Sequence, residues 1–286
     1  MNPSFFPEAL KPNHKIQIMD VGASMINEVP VYKSLMDQGL AHLNAFEGDE
    51  RQIDLIKRSY GSDCSIYKEF LFDGKVHTLH VAKPESGMTS LLKPRLAALK
   101  FFNGFENFGA VEKTESVQTV TMDSLIHLPP IDFLKMDIQG AELTALRHGT
   151  DKLKDCLAIQ LEVSYVCLYE NQPSFGEVDV WMRSQGYVPH CFLEVKRWAI
   201  APTVFHNNFR VPGNQLLESD IVYIKDPLRL QCLSDEALKK LIAIAHCSFK
   251  SVDLCVHLIM ELQSRGSAVP DAHLDYLAWS NQAALQ

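Results

Sequence analysis

Short apolar segments rich in β-branched residues alternate with helix-like segments over most of the chain, from Ile16 to Ile224. The predicted strands are Ile16–Val21, Leu43–Glu47, Cys64–Phe72, Val117–Thr121, Ile131–Met136, Leu157–Val163, Tyr187–Leu193 and Asp220–Ile224. The predicted helices are Glu28–Gln38, a helix capped by Asp49, Lys93–Phe102, Ala141–Arg147 and Phe175–Gln185. Strands that alternate with helices form a mostly parallel sheet covered on both faces. We therefore expect a doubly wound α/β fold.

Two features lie outside this alternation. Asp73-Gly74 is a dipeptide typical of tight turns, and the apolar alternation that follows it predicts a β-hairpin. Near the end of the chain, apolar residues recur at helical spacing from Leu238 to Phe249 and again from Val252 to Leu262. These stripes must pack on the rest of the protein or on a partner. The predicted domains are a main domain over 1–226 and a C-terminal helical extension over 227–286.

Composition places the protein among ordinary globular chains. Its 286 residues are 47% hydrophobic and 22% charged, which excludes a wholly disordered or collagen-like chain. The formal net charge of -8 disfavours a sequence-independent interaction with nucleic acid. No stretch reaches the ~18 apolar residues of a membrane span, and the N-terminus does not resemble a secretory signal. The cysteines form no CxxC pair, so we expect reduced thiols and a cytoplasmic protein.

Ligands of doubly wound sheets bind outside the carboxyl ends of the strands, so the residues after the predicted strands are the candidate site. Gly22 and Ala23 follow the first strand, and a glycine there lets a ligand approach the backbone closely. The sequence after Gly22 lacks the GxGxxG pattern, which disfavours a nicotinamide-dependent oxidoreductase. Glu47 and Gly48 follow the second strand, where a carboxylate accepts hydrogen bonds from a ribose diol. The alternative interpretation is an ordinary strand-to-helix turn at Gly22 and a solvated carboxylate at a strand end for Glu47.

The most specific candidate lies after the predicted strand Ile131–Met136. This strand places Asp137 at its carboxyl end, and Gly140 permits a sharp entry into the next helix. Glu142 falls in the first turn of that helix, where the helix dipole favours an acidic side chain. Asp137 and Glu142 are therefore either functional carboxylates or ordinary helix-entry residues, and both interpretations stay open at this point.

The segment FLKMDIQGAELTAL (Phe133–Leu146) resembles the K-[IM]-D-[VI]-[EQ]-G-[AS]-E signature of the FkbM-type S-adenosylmethionine-dependent methyltransferases. Other segments resemble family motifs in the same order: IMDVGAS (Ile18–Ser24), AFEGD (Ala45–Asp49), SGMTSL (Ser86–Leu91), VTMDSL (Val120–Leu125), AIQLEV (Ala158–Val163) and QGY (Gln185–Tyr187). Ser24, Gly48 and Gln139 differ from the usual residues at their positions. The resemblance covers roughly Ile16 to Lys225 and implies a Rossmann-like methyltransferase fold.

The resemblance implies that S-adenosyl-L-methionine is the cofactor. The implied cofactor-binding residues are Asp20, Gly22, Ala23, Glu47, Gly48, Phe70 and Leu71. Within this set, Asp20 and Gly22 would line the methionine part and Glu47 would hold the ribose hydroxyls. The chain around Phe70–Phe72 would approach the adenine.

The resemblance also implies transfer of the methyl group to a hydroxyl oxygen. The acceptor oxygen must be held in line with the bond that breaks, and an alcohol is a poor nucleophile until its proton is leaving. Asp137 is implied as the base or as the anchor of the acceptor hydroxyl. Glu142 and Glu162 are second candidates for catalysis, and either is alternatively a brace for the loop. The sequence contains no metal-binding motif, so we expect no metal.

The sequence leaves the acceptor open among a saccharide, a glycolipid, a natural product and a peptide. Aromatic faces stack on sugar rings, and the candidates for that role are Tyr165, Tyr169, Trp181 and Trp198. Lys196–Gln215 is a long connection between the last two strands, and loops of this length are usually functional or disordered. We therefore expect this connection to form part of the acceptor site.

A catalytically inactive binding module with the same fold, acting through its C-terminal helices, is the alternative function. The presence of the acidic residues Asp20, Glu47, Asp137 and Glu142 favours the enzyme. We also expect the C-terminal helices to pack against the main domain or to form a homodimer interface, and we expect no nucleic-acid partner.

Overall fold

The structure, a computed structural model, describes residues 6–23, 29–48, 50–83 and 86–283. The strands are β1 Ile16–Val21, β2 Ala41–Phe46, β3 Cys64–Tyr67, β4 Phe70–Leu71, β5 Val76–Ala82, β6 Val111–Val120, β7 Phe133–Met136, β8 Ala158–Ser164, β9 Tyr187–Trp198 and β10 Gln215–Lys225. The helices are α1 Lys33–Asp37, α2 Glu50–Tyr60, α3 Leu96–Phe101, α4 Phe105–Phe108, α5 Glu142–Arg147, α6 Phe175–Ser184, α7 Asp235–Ile244, α8 Val252–Ser264 and α9 Ala272–Ala283. In these described ranges, no helix combines the length and hydropathy needed to cross a membrane.

Seven of these strands form one sheet in the order β3-β2-β1-β7-β8-β10-β9. Strands β3, β2, β1, β7 and β8 are parallel, whereas β10 runs antiparallel to both β8 and β9. The central strands are buried along nearly their whole length, as parallel strands covered by helices on both faces must be. The predicted doubly wound, mostly parallel sheet is confirmed.

The predicted hairpin at Asp73-Gly74 is wrong. Strand β6 lies between β4 and β5, parallel to the first and antiparallel to the second. The Gly74 N–H donates to Thr119 Oγ1 at 3.1 Å, and Asp73 Oδ1 accepts from the Lys75 N–H at 3.0 Å. The turn is therefore stabilised partly by a residue of β6. A local turn signal specifies the bend but not which strand pairs with the segments on either side.

Several predicted boundaries also differ from the structure. The predicted strand Cys64–Phe72 is two strands, β3 and β4. The predicted helix Glu28–Gln38 begins only at Lys33, and Glu28, like the predicted helix cap Asp49, lies outside the described residues. Strands β9 and β10 extend well beyond the predicted ends, because they pair with each other over polar and exposed positions that an apolar pattern does not detect. The connection predicted as Lys196–Gln215 is therefore shorter, 199–214.

Alternate side chains of the strands form two apolar clusters, one on each face of the sheet. Met19 and Val21 belong to the cluster that packs on α5 and α6. Ile16, Ile18 and Phe133 belong to the other cluster, which packs on α1, α7 and α8. By this alternation, Asp20 of β1 and Lys135 of β7 lie on the second face.

The C-terminal helices pack on the sheet of their own chain. Leu241, Leu258 and Ile259 are fully buried in the cluster that contains Ile16 and Phe133. The Arg265 guanidinium donates to the carbonyl oxygens of Leu230 and Leu233, both at 2.7 Å, and so joins the end of α8 to the segment before α7. The predicted helices are present, and the main domain over 1–226, the extension over 227–286 and the homodimer stay predictions.

Candidate active site

The turn after β1 joins the carboxyl ends of three strands. The N–H groups of Gly22 and Ala23 both donate to the Phe46 carbonyl oxygen at the end of β2, at 3.1 and 3.2 Å. The Asp137 N–H donates to the Val21 carbonyl oxygen at 3.0 Å. Gly22 has a φ of 81°, and a Cβ at this position would lie 2.2 Å from the carbonyl oxygen of Asp137. Any residue other than glycine at position 22 would therefore clash with the backbone of Asp137.

The next strand ends supply an acid and an aromatic ring. Glu47 is half-buried at the end of β2, and its N–H donates to the Tyr67 carbonyl oxygen of β3 at 3.0 Å. Gly48 is exposed, and a Cβ at this position would lie 4.0 Å from the Phe70 ring. Leu71, next along β4, is buried. The structure therefore brings Glu47 and Phe70 to the same edge as the Gly22 turn. Residues 24–28, including Ser24, lie outside the described residues.

Asp20 is buried in β1, one residue before the carboxyl end of that strand. Its Oδ2 accepts from the Tyr32 hydroxyl at 2.6 Å, and its Oδ1 lies 3.4 Å from Lys135 Nζ. Burial alone would lower the pKa of Lys135, but the charges of Asp20 and Asp137 outweigh it and raise that pKa. Burial and the charge of Asp20 raise the pKa of Tyr32. Sequence reasoning missed Lys135 and Tyr32 as partners, although a lysine inside an apolar strand signals a buried counter-ion.

Gln139 links the two carboxylates at the ends of β7 and β8. Its side-chain Nε2 donates to Asp137 Oδ1 at 2.9 Å and to Glu162 Oε2 at 3.0 Å. Its Oε1 accepts from the Tyr169 hydroxyl at 2.9 Å, and its carbonyl oxygen accepts from Ser90 Oγ at 2.8 Å. The backbone of Gln139 has a φ of 56°, a conformation that few residues other than glycine adopt. These four contacts hold the strained residue and fix the separation of Asp137 and Glu162.

Glu162 lies in a mostly acidic environment on the same edge. Burial raises its pKa, the charges of Asp137 and Glu218 raise it further, and Lys196 opposes them. Lys196 Nζ lies 2.8 Å from Glu218 Oε1 and 3.8 Å from Glu162 Oε1. Burial of Lys196 disfavours its charge, but these carboxylates raise its pKa overall. The site therefore holds a carboxyl group that takes up a proton more readily than an exposed glutamate does.

Glu142 faces the back of the turn between β7 and α5. Its Oε1 accepts from the N–H groups of Ile138 and Gly140, at 2.9 and 3.2 Å. Burial raises the pKa of Glu142 to about 7 against the effect of these hydrogen bonds. A Cβ on Gly140 would lie 2.9 Å from the side chain of Gln172, which packs behind the turn. This geometry is that of a carboxylate that braces the segment carrying Asp137.

We expect Glu142→Gln to change how stability depends on pH. A carboxyl whose pKa is raised on folding contributes stability below its unfolded pKa, and that contribution is lost as the pH rises to its folded pKa, here about 7. Thermal melts between about pH 4.5 and pH 8 should therefore show the variant gaining relative to wild type as the pH rises. His246, whose pKa burial lowers to about 4, acts in the opposite direction but is common to both proteins. A difference in Tm that is the same at every pH would contradict this assignment.

The aromatic residues considered for the acceptor lie in different places. Tyr169 is buried beside Gln139, and Trp198 packs edge-on against Phe105 at 5.2 Å between ring centroids. The Tyr165 hydroxyl accepts from Ser219 Oγ at 2.9 Å. Trp181 instead lines a cavity of about 130 Å³ with Tyr187 at the opposite edge of the sheet, where β9 begins. Trp181 is thus separated from the other three, and its predicted place on the acceptor side is wrong.

No curated protein sequence matches this chain significantly. Among solved structures, the precorrin-6y C5,15-methyltransferase of Geobacter metallireducens GS-15 is 11% identical with a TM-score of 0.37, over 76% of this chain and 84% of that chain. A methyltransferase FkbM of Methylobacillus flagellatus KT is 14% identical with a TM-score of 0.40, over 73% of this chain and 43% of that chain. The magnesium protoporphyrin IX methyltransferase of Synechocystis PCC 6803, solved with bound S-adenosylmethionine, is 9% identical with a TM-score of 0.35, over 74% of this chain and 71% of that chain.

The assignment of the chain rests on its sequence rather than on these remote likenesses. The family model described as the methyltransferase FkbM domain matches residues 20–189, which is more than half of the chain. The matched range includes every residue of the candidate site from Asp20 to Glu162. The chain belongs to the FkbM methyltransferase family.

Proposed function

We propose that this protein transfers the methyl group of S-adenosyl-L-methionine to a hydroxyl oxygen of a saccharide, glycolipid or natural-product acceptor. The observation that carries the proposal is the position of Asp137. Its N–H donates to the Val21 carbonyl oxygen and its carbonyl oxygen lies against Gly22, so the residue that carries this carboxylate directly adjoins the turn expected to hold the cofactor. Membership of the family supports the methyltransferase part of the proposal.

The chemistry of the strand ends fits this cofactor. Glu47 is a partly accessible carboxylate that can accept hydrogen bonds from both ribose hydroxyls. Phe70 supplies an apolar wall beside Gly48 for the adenine, and the lack of a side chain at Gly48 leaves space there. Leu71 is buried in the core and supports this segment from behind. Gly22 and Ala23 supply the backbone of the methionine-side turn. Asp20 supports this turn rather than contacting the cofactor, since its own carboxylate is engaged by Tyr32 and Lys135.

The sulfonium of the cofactor supplies an already electrophilic methyl group. The protein must then orient the acceptor hydroxyl and hold its proton as it leaves. Asp137 receives or anchors this hydroxyl proton, and Glu162, linked to it through Gln139, is the second carboxylate able to hold a proton. Glu142 is a positioning residue because it bonds the backbone of the turn that carries Asp137.

We expect Glu47→Ala to weaken the binding of S-adenosylhomocysteine by roughly 1.5–3 kcal/mol, the range for hydrogen bonds to a charged group. Isothermal titration calorimetry of wild type and variant measures this directly. Glu112→Ala is a suitable control, since Glu112 is an exposed carboxylate on β6. Failure of the wild type to bind, or tight binding of NAD instead, would refute the proposed cofactor. Equal affinities of wild type and Glu47→Ala would remove only the ribose role of Glu47.

A further inference from the structure

The 199–214 loop between β9 and β10 exposes apolar side chains over a short length of chain. Ile200, Val204, Phe205 and Phe209 are between 38% and 46% exposed. Residues 202–210 are all exposed. Single exposed apolar residues are ordinary on a protein surface, but a concentration of them marks an interaction site.

The middle of the loop is a tight turn. His206 and Asn207 have φ values of 53° and 55°, and the Asn208 N–H donates to the Phe205 carbonyl oxygen at 2.9 Å. Positive φ at both central residues is the geometry of a two-residue turn between antiparallel strands. Phe205 therefore flanks the tip of this turn, and its side chain is 41% exposed there.

The base of the loop is held firmly to the body of the protein. The Ala201 N–H donates to the Phe101 carbonyl oxygen, and Trp198 Nε1 donates to the Asn103 carbonyl oxygen, both at 2.9 Å. The Phe209 ring lies against Gly104, where an added Cβ would be 2.9 Å from it. These contacts hold the base of the loop, whereas Val204 and Phe205 remain exposed.

The charge of this surface is opposite to that of the whole chain. The formal net charge of the protein is -8, yet segments 95–110 and 192–214, which pack together here, contain five Lys and Arg against two Glu. Lys196 is paired with Glu218 and Glu162, which leaves Arg95, Lys100, Arg197 and Arg210 as the cations of this surface. Arg210 lies 5.5 Å from the ring centroids of both Phe108 and Phe209. Arg197 and Lys100 are exposed, and within the described residues neither forms an ion pair. Aromatic rings with interleaved cations are typical of surfaces that enter an anionic lipid interface.

We propose that the 199–214 loop docks on the surface of an anionic lipid bilayer. The loop begins three residues after Lys196, whose ammonium lies 3.8 Å from Glu162, so docking would bring the candidate site close to the membrane. That the acceptor is consequently a lipid-carried hydroxyl rests on the proposed function, whereas the docking does not.

Co-sedimentation with vesicles tests the docking without any methyl-transfer assay. We expect the full-length protein to bind vesicles that contain phosphatidylglycerol much more than vesicles of phosphatidylcholine alone, and to lose that binding at high salt. Val204→Ser combined with Phe205→Ser should reduce the partition coefficient about tenfold or more. Arg197→Gln should reduce it about fivefold. Leu228→Ser is the matched control, because Leu228 is 87% exposed and lies outside the loop.

Three results would overturn the proposal. The first is the absence of binding to either vesicle, and the second is equal binding by the Val204/Phe205 variant and the Leu228 control. The third is a stable dimer of the wild type that becomes monomeric in the Val204/Phe205 variant, since a second copy would then cover the loop. Unchanged melting temperatures of the variants establish that the substitutions act at the surface. S-adenosylhomocysteine binding, measured separately, distinguishes failure of this proposal from failure of the proposed function.

Discussion

Asp137→Asn is expected to lower the rate of methyl transfer by about 10²–10⁴-fold, the usual contribution of general base catalysis. Asn keeps the shape of the side chain and an oxygen that can accept from Gln139 Nε2, but it does not take up the acceptor proton. S-adenosylhomocysteine binding should change much less, because Glu47 and the Gly22 turn carry most of the cofactor contacts in our proposal. The measurement follows an isotopically labelled methyl group from S-adenosylmethionine into a panel of saccharides and glycolipids.

Two variants make this experiment specific. Asp151→Asn removes an exposed carboxylate between α5 and β8 and should leave the rate unchanged. Glu142→Gln should lower the rate less than Asp137→Asn if Glu142 only braces the turn. A rate near wild type in Asp137→Asn would remove Asp137 from the catalytic role. Loss of cofactor binding in the same variant would assign it to the cofactor pocket instead.

A chain that ends at Asp226 is expected not to form a stable soluble monomer. Its sheet face with Ile16, Ile18 and Phe133 would be exposed to water, since α7 and α8 cover these residues in the intact protein. Large exposed apolar patches are unusual on monomers and favour aggregation. Size-exclusion chromatography and thermal melting of the shortened chain test this expectation. A soluble product with the melting temperature of the full chain would contradict it.

A single substitution tests the same packing without truncation. Leu241→Ala should lower the free energy of unfolding by about 2–5 kcal/mol, as expected for a fully buried leucine. Met260→Ala is the control on α8, because Met260 is 51% exposed and should cost much less. Urea denaturation measures both. The same burial weakens the alternative function, a binding module acting through its C-terminal helices, since the apolar stripes of α7 and α8 contact their own chain.

The central sheet was predictable because its strands are short and apolar on both faces. Ile16–Val21 agrees with β1 at both ends, and the predicted order of strands and helices led to a mostly parallel sheet. The small sheet was not predictable in the same way. Its pairing of β6 with β4 and β5 joins segments distant in sequence, and the local signal at Asp73-Gly74 contains no information about that contact.

The candidate site shows a similar division. Residues at strand ends, such as Glu47 and Asp137, were found because topology alone places them at one edge. The contacts that fix Asp137 and Glu162 were missed, because Gln139, Tyr169 and Lys196 reach the site through side-chain contacts from a turn, a loop and an edge strand. Only a lysine in an otherwise apolar strand, Lys135, left a signal in the sequence for its buried partner.

The most direct test of the methyltransferase assignment is mass spectrometry of the purified protein for bound small molecules. We expect S-adenosylmethionine or S-adenosylhomocysteine to co-purify with the chain, or to bind when added at modest excess. Failure to bind either compound, together with retention of a nicotinamide dinucleotide, would contradict the account.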